Sequence, residues 1–156
     1  MFKRILVCLD GSKLAEQIIP YVIEEASALK SKVILLQVLS IPGIVTPDIP
    51  GFPGVPMHTS SMLDRLRKDA DKAEDYLEHV AQQLREHGVH VECVTLEGPA
   101  GSTITSYTNE NNIDLIAIAT HGYSGLRHIL FGSVAEFVVR ESRVPILMIR
   151  PKHPQG

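Results

Sequence analysis

Apolar positions along the chain follow two periods, and the alternation between them predicts the architecture. Residues 5–9 (ILVCL), 33–39 (VILLQVL), 113–119 (IDLIAIA) and 144–149 (VPILMI) are near-continuous apolar runs, as strands covered on both faces of a parallel sheet require. Residues 89–96 instead alternate apolar with polar positions, Val89, Val91, Cys93 and Val94 being the apolar ones, which suits a less buried edge strand. Between these runs the period lengthens. Ala15, Ile18, Ile19, Val22, Ile23, Ala26 and Leu29 recur at threes and fours, the apolar stripe of an amphipathic helix ending near Lys30. Pro20 stands inside that stripe, and the phase continues past it, so a kinked single helix is expected. Leu63, Leu66, Ala70, Ala73, Leu77, Val80, Ala81 and Leu84 hold helical phase as far as Gly88, from a capping-box-like start at Ser61 and Asp64. The charges on the opposite side of that stripe read as a solvated face. Gly98-Pro99-Ala100 opens a short helix to about Asn109, whose Thr, Ser and Asn content gives poor propensity, so packing must hold it. A fourth helix, capped by Ser133, carries Val134, Phe137 and Val138 through Ser142.

Five strands alternating with four helices make a doubly wound α/β fold, a parallel sheet with helices on both faces. The pattern leaves strand order open. Residues 1–150 are read as one domain. Within it, residues 40–60 carry five prolines (Pro42, Pro47, Pro50, Pro53, Pro56) and three glycines (Gly43, Gly51, Gly54), which excludes regular structure. A lid over a site at that sheet edge and a disordered insertion both fit such a loop. Residues 151–156 are expected to fray.

Composition narrows the class. The 156 residues are 44% hydrophobic and 21% charged, with a formal net charge of −3 and both signs interspersed. The basic footprint of a nucleic-acid binder is missing, and no apolar run reaches the roughly 18 residues of a membrane span. Cys8 and Cys93 fall in strand-like runs without metal or redox spacing and read as small buried hydrophobes. His79, His87 and His90 read as surface residues. A cytoplasmic, reduced protein is expected.

The candidate chemistry concentrates between Ala119 and Ser133, ATHGYSGLRHILFGS, where a buried strand ends, a glycine-rich loop follows and a helix begins. A helix N-terminus presents unpaired N–H groups and about half a positive charge, so an anion such as phosphate is its natural guest. Gly122, Gly125 and Gly132 stand where the backbone must bend sharply or approach a ligand closely. Nine residues, 123–131, separate Gly122 from Gly132-Ser133, and Ala119 lies three before Gly122. This spacing resembles the nucleotide-binding signature of the universal stress protein family: Gly-x-x-Gly, nine residues, then Gly-Ser or Gly-Thr. The first glycine departs, being Ala119 here; an extra methyl group at that position can crowd a ligand, alanine being the mildest such change. The resemblance extends from Asp10-Gly11-Ser12 to the closing VPILMIR at 144–150.

The resemblance implies strand order 3-2-1-4-5, which sets the ends of strands one and four side by side at the topological switch, where open sheets bind ligands. It also implies an adenine nucleotide there, ATP or ADP with Mg²⁺. By its pattern Asp10 lies at the nucleotide, the main chain of Val38 meets the adenine, and Gly122, Gly132, Ser133 and Val134 contact phosphate and ribose. From its residue type alone, Asp10 can accept a ribose hydroxyl or help hold Mg²⁺; it can equally order the Asp10-Gly11-Ser12 turn. Val38 also reads as plain core. Arg127 can clamp a phosphate bidentately. His121 and His128 share that loop, and His121 fits a structural or ligand-orienting role better than an acid–base one, since no paired nucleophile or metal spacing accompanies it.

No Walker lysine follows Gly132, no GxGxxG occurs, and the His-x-Gly-His of nucleotidyl transferases is missing. The expected function is therefore an ATP-binding stress-response or regulatory protein with at most slow hydrolysis; a non-nucleotide dimeric scaffold of the same fold is the alternative that Ala119 favours. A receiver-like reading, with Asp10 as phosphate acceptor and Lys152 as its partner, lacks the aspartate expected where strand three ends in Leu96-Glu97-Gly98. Residues 144–149 form an apolar edge strand under the implied order, which together with the resemblance points to a homodimer.

Overall fold

The computed structural model describes residues 1–40, 60–120 and 132–152. The strands are β1 (Arg4–Leu9), β2 (Lys32–Leu39), β3 (His90–Glu97), β4 (Leu115–Ala119) and β5 (Ile146–Ile149); the helices are α1 (Ile19–Leu29), α2 (Ser60–Glu86), α3 (Ala100–Glu110) and α4 (Ser133–Glu141). All pairings are parallel and the order is β3-β2-β1-β4-β5, as the resemblance implied. β3 lies at one edge, in keeping with its alternating sequence.

Because successive strand residues point to opposite faces, the continuous apolar runs supply two cores at once. Ile5, Val7 and Leu9 of β1, with Val33 and Leu35 of β2, pack against Val22 and Ala26 of α1 and Leu77, Val80 and Leu84 of α2. Leu6, Cys8, Ile34 and Leu36 face the other way, onto Ile104 of α3 and Ala135 and Val138 of α4. The helices thus divide two and two between the faces. Register is pinned at the amino ends of the strands by Asp114, whose Oδ2 accepts the N–H groups of Lys3 at 2.9 Å and Arg4 at 3.0 Å.

Local details correct several expectations. Pro20 does not kink a long helix. A 3-10 turn (Ala15–Ile18) precedes α1, and Pro20 occupies the first turn of α1, where its missing N–H has no intrahelical acceptor to lose. Ser61 is not the start of α2, which already includes Ser60. The last strand begins at Ile146 rather than 144, and the Pro145 carbonyl accepts the Ile116 N–H at 3.0 Å ahead of it. Pro151 and Lys152 are not frayed, since the Lys152 main chain exchanges two hydrogen bonds of 2.9 Å with the Gln17 carboxamide. Residues 41–59, where a lid or insertion was expected, and the rest of the tail lie outside the described residues.

Candidate functional site

The strand order reverses between β1 and β4, so the connections leaving their carboxyl ends run to opposite faces and open a crevice. On the β1 side the chain turns through Asp10-Gly11-Ser12. Gly11 has φ +84°, a left-handed conformation that a side chain strains. The Asp10 Oδ1 accepts the Ser12 N–H at 3.0 Å, and the Ser12 Oγ in turn accepts the Ala15 N–H at 3.1 Å, capping the 3-10 turn. The turn-ordering role for Asp10 is thus realised. Asp10 is nevertheless exposed and borders the crevice, so it remains placed to meet a ligand.

On the β4 side, α4 opens onto the same space. Its N-cap is Gly132, not Ser133 as the sequence suggested; Ser133 is the first helical residue, and Gly132 has no side chain with which to cap the helix. The first intrahelical bond is from the Glu136 N–H to the Gly132 carbonyl at 2.9 Å. The N–H groups of Ser133, Val134 and Ala135 therefore have no intrahelical acceptor, and no side chain among the described residues caps them, the arrangement that accepts an anion. Gly132 has φ −65° and ψ 155°, a conformation open to any residue. Glycine is therefore not required there by its backbone conformation.

Together these ends bound a cleft of about 470 Å³, within the range of small-molecule sites. Asp10, Val38, Ala119, Gly132, Ser133 and Val134 all line it. Gly122 and Arg127, with His121 and His128, lie outside the described residues. The cleft has two characters. Cys8, Leu36, Val38, Ile104 and Ile118 give it an apolar wall, whereas Asp10, Ser40 and Ser133 are polar, and Asp10 is the only charged side chain among its described lining residues. Burial pushes the Cys8 thiol up to about 12, so it stays neutral and behaves as part of the apolar wall.

Ala100, Ile104 and Ser40 are lining residues that sequence reasoning missed. A signal existed: Gly98-Pro99-Ala100 follows the carboxyl end of β3, and Ser40 that of β2, the sheet edge already singled out for the other two loops. Ala119 is 8% exposed and lines the cleft from the end of β4.

A sequence model of the universal stress protein family matches residues 1–150. The chain belongs to the universal stress protein family. Universal stress protein MJ0577 of Methanocaldococcus jannaschii is 28% identical, with 98% of each chain covered; its solved structure superimposes with a TM-score of 0.77 at 26% identity over 99% of each chain. Two solved universal stress proteins were captured with nucleotides and share the fold. The Archaeoglobus fulgidus protein in complex with dAMP has a TM-score of 0.66 at 20% identity, covering 96% of this chain and 98% of its own. A universal stress protein in complex with cAMP has a TM-score of 0.68 at 19% identity, covering 96% and 97%. Like its described relatives, this universal stress protein is built as one five-stranded parallel sheet. No helix among its described residues is long and apolar enough to cross a membrane.

Proposed function

We propose that this universal stress protein binds an adenine nucleotide, ATP or ADP, in the β1/β4 crevice and acts as a regulatory stress-response protein with at most slow hydrolysis. The observation that carries the reading is the amino end of α4, uncapped by any described side chain, opening into a cleft whose other wall is apolar. A nucleotide has that duality, with an aromatic base for the wall by Val38 and phosphates for the N–H groups of Ser133 and Val134. The dAMP and cAMP complexes of proteins with this fold support the class of ligand. Arg127 and Gly122 complete the phosphate subsite in this reading.

Electrostatics bears on the metal. A carboxylate and a polyphosphate in one cleft repel each other, and Asp10 is the sole charge among the described lining residues. Mg²⁺ between them removes that repulsion, and it is commonly held by one or two carboxylates plus substrate phosphates. The described residues include no cluster of three His, Cys, Asp or Glu side chains able to hold a metal, so the phosphates must supply most of the ligands, with Asp10 adding one. Nothing among the described residues supplies a positioned base for attack on a γ-phosphate, which is why hydrolysis is assigned as slow at most.

The second reading, a scaffold without nucleotide, rests on Ala119, which stands where the family signature has glycine and lines the cleft. In either reading the apolar edge strand β5 pairs with its counterpart in a second copy to make a homodimer, its residues being only half-buried in the single chain. A monomer by light scattering at micromolar concentration refutes the dimer. The nucleotide reading is tested by calorimetric titration of Mg-ATP into wild type and Gly132→Asp. Aspartate suits both the N-cap position and the dihedral angles of Gly132, so the variant folds, but its carboxylate occupies the phosphate position. Binding to wild type with loss in the variant is expected. Unchanged affinity in a folded Gly132→Asp removes the phosphate assignment.

A further inference from the structure

The sheet ends at β3, and among the described residues that edge is regular and unpaired. Its eight residues pair with β2 in unbroken register, without the bulge or proline that commonly closes an edge. One bond fixes the main-chain directions. The Gly98 N–H donates to the Leu39 carbonyl of β2 at 3.0 Å, so the even-numbered residues of β3 turn their N–H and C=O groups to β2. Val91, Cys93, Thr95 and Glu97 turn theirs outward, where no described strand meets them. Beside this edge, α3 and the end of β3 bound a groove of about 510 Å³. Leu96 and Tyr107, both packed onto the core under α3 and α4, give it an apolar floor.

Charge decides what fits. Glu97 and Glu110 are the only charged residues among the described lining of the groove; both are exposed, and neither forms an ion pair with a described residue. Glu97 closes β3 and Glu110 closes α3, so an acidic residue stands at each end. From Ser102 to Glu110 the α3 wall runs about 12 Å, at about 1.5 Å per residue, and residues i and i+4 of a strand lie about 13 Å apart. An extended segment with a cation at each end of that span and an apolar residue between them matches the groove. A second copy of β3 does not, since it brings Glu92 and Glu97 of its own against like charge. We propose that the β3 edge takes up a basic, extended peptide segment of another protein as a sixth strand. Its main chain bonds the outward groups of Val91, Cys93, Thr95 and Glu97, and its Lys or Arg side chains meet Glu97 and Glu110. Arg4 and Lys32 act on Tyr107, with Glu92 offsetting one of them, so the Glu97 end is the stronger anchor. The edge is separate from the nucleotide crevice and does not depend on the nucleotide reading.

The test is an NMR titration of the labelled full chain, without nucleotide, using the acetylated and amidated peptide TKTVTKT at constant ionic strength and TETVTET as the control. The basic peptide is expected to saturate, moving the amide protons of Val91, Cys93, Thr95 and Glu97 downfield as they gain acceptors. Those of Glu92, Val94 and Leu96, already bonded to β2, should move less, and TETVTET should move none. Glu97→Lys with Glu110→Lys should weaken TKTVTKT by about tenfold or more and admit TETVTET, the Glu97 change weighing more. Thr95→Pro, which removes an outward N–H and none that bonds β2, should lose binding; the charge variants guard against its misfolding. No saturable shift up to about 10 mM TKTVTKT, a concentration well above a millimolar dissociation constant, overturns the proposal. So do equal binding of TETVTET, shifts without the odd-even alternation, which indicate surface ion pairing only, or an affinity unchanged in the folded double variant. The same alternating shifts produced by excess unlabelled chain assign the edge to a second copy and overturn it as well.

Discussion

Gly101→Ala is a small change with a calculable consequence at the helix that carries the anion site. Gly101 lies in the first turn of α3, where it meets α4. A Cβ built on it sits 2.6 Å from the Phe137 Cδ1, 2.7 Å from Cγ and 3.0 Å from Cβ. Carbon atoms pack best at about 3.5–4.0 Å. The Phe137 ring can rotate away from the new methyl group, although it lies beneath the Arg140 guanidinium, 5.6 Å from the ring centroid. Its Cβ cannot, because it is fixed to the α4 backbone, so α3 and α4 must part by about 0.5 Å to restore that contact. Overpacking of this kind costs about 1–3 kcal/mol. Replacing glycine by alanine returns less than about 1 kcal/mol of helix propensity, the full gain applying only to a helix interior. The net is a destabilisation of about 1 kcal/mol, which lowers the melting temperature by about 2–4 °C for a chain of this size. Thermal unfolding followed by circular dichroism measures it, with Phe137→Ala as the second arm of a double-mutant cycle. In the Phe137→Ala background the alanine should be neutral or stabilising. A higher melting temperature for Gly101→Ala in the wild-type background refutes the close-contact argument.

The remaining predictions concern the cleft and one surface pair. Because burial holds the Cys8 thiol near 12, iodoacetamide should modify it slowly in the native protein, about tenfold faster per pH unit as thiolate accumulates, and Mg-ATP should slow it further; peptide mass spectrometry separates it from Cys93, and modification indifferent to Mg-ATP counts against the nucleotide lying in that cleft. Chelation with EDTA should weaken ATP binding in wild type far more than in Asp10→Asn, where the carboxylate's repulsion is already gone; equal weakening in the two places the metal away from Asp10. The Lys32 ammonium, 2.6 Å from Glu92, holds that carboxyl below its ordinary range mainly through their hydrogen bond. A depressed folded-state value contributes stability above the unfolded value of about 4.3 and loses it as pH falls through the folded one. Glu92 is exposed and Lys32 half-buried, so solvent screens the pair and Lys32→Met should cost at most about 0.5 kcal/mol at pH 7 and nothing at pH 2 by urea denaturation.

The strand runs and helical stripes were legible because burial on one or two faces writes itself into period and composition. The sheet order was not, since nothing in the apolar pattern of β4 says that it joins β1 rather than β3; only the spacing of Ala119, Gly122 and Gly132-Ser133, through its family resemblance, carried it. Long-range polar ties were invisible for a related reason. Asp114 binding the Lys3 and Arg4 amides, and Gln17 pairing with the Lys152 main chain, join residues more than a hundred positions apart with no local signature. Pro20 misled because the stripe keeps its phase across the boundary between the 3-10 turn and α1. Ser133 misled because serine is a good N-cap by propensity, whereas the N-cap is Gly132 and Ser133 already lies inside the helix. Gly101 looked like one residue of a weak helix until the position of Phe137 gave it a reason.

The account rests on a nucleotide in the β1/β4 crevice, and the most direct measurement is to denature freshly purified protein and identify what it releases by chromatography and mass spectrometry. Near-stoichiometric ATP or ADP is predicted, with the Gly132→Asp protein prepared in parallel releasing none. If wild type releases no adenine nucleotide and added Mg-ATP leaves its melting temperature unchanged, the nucleotide reading is contradicted and the Ala119 scaffold takes its place.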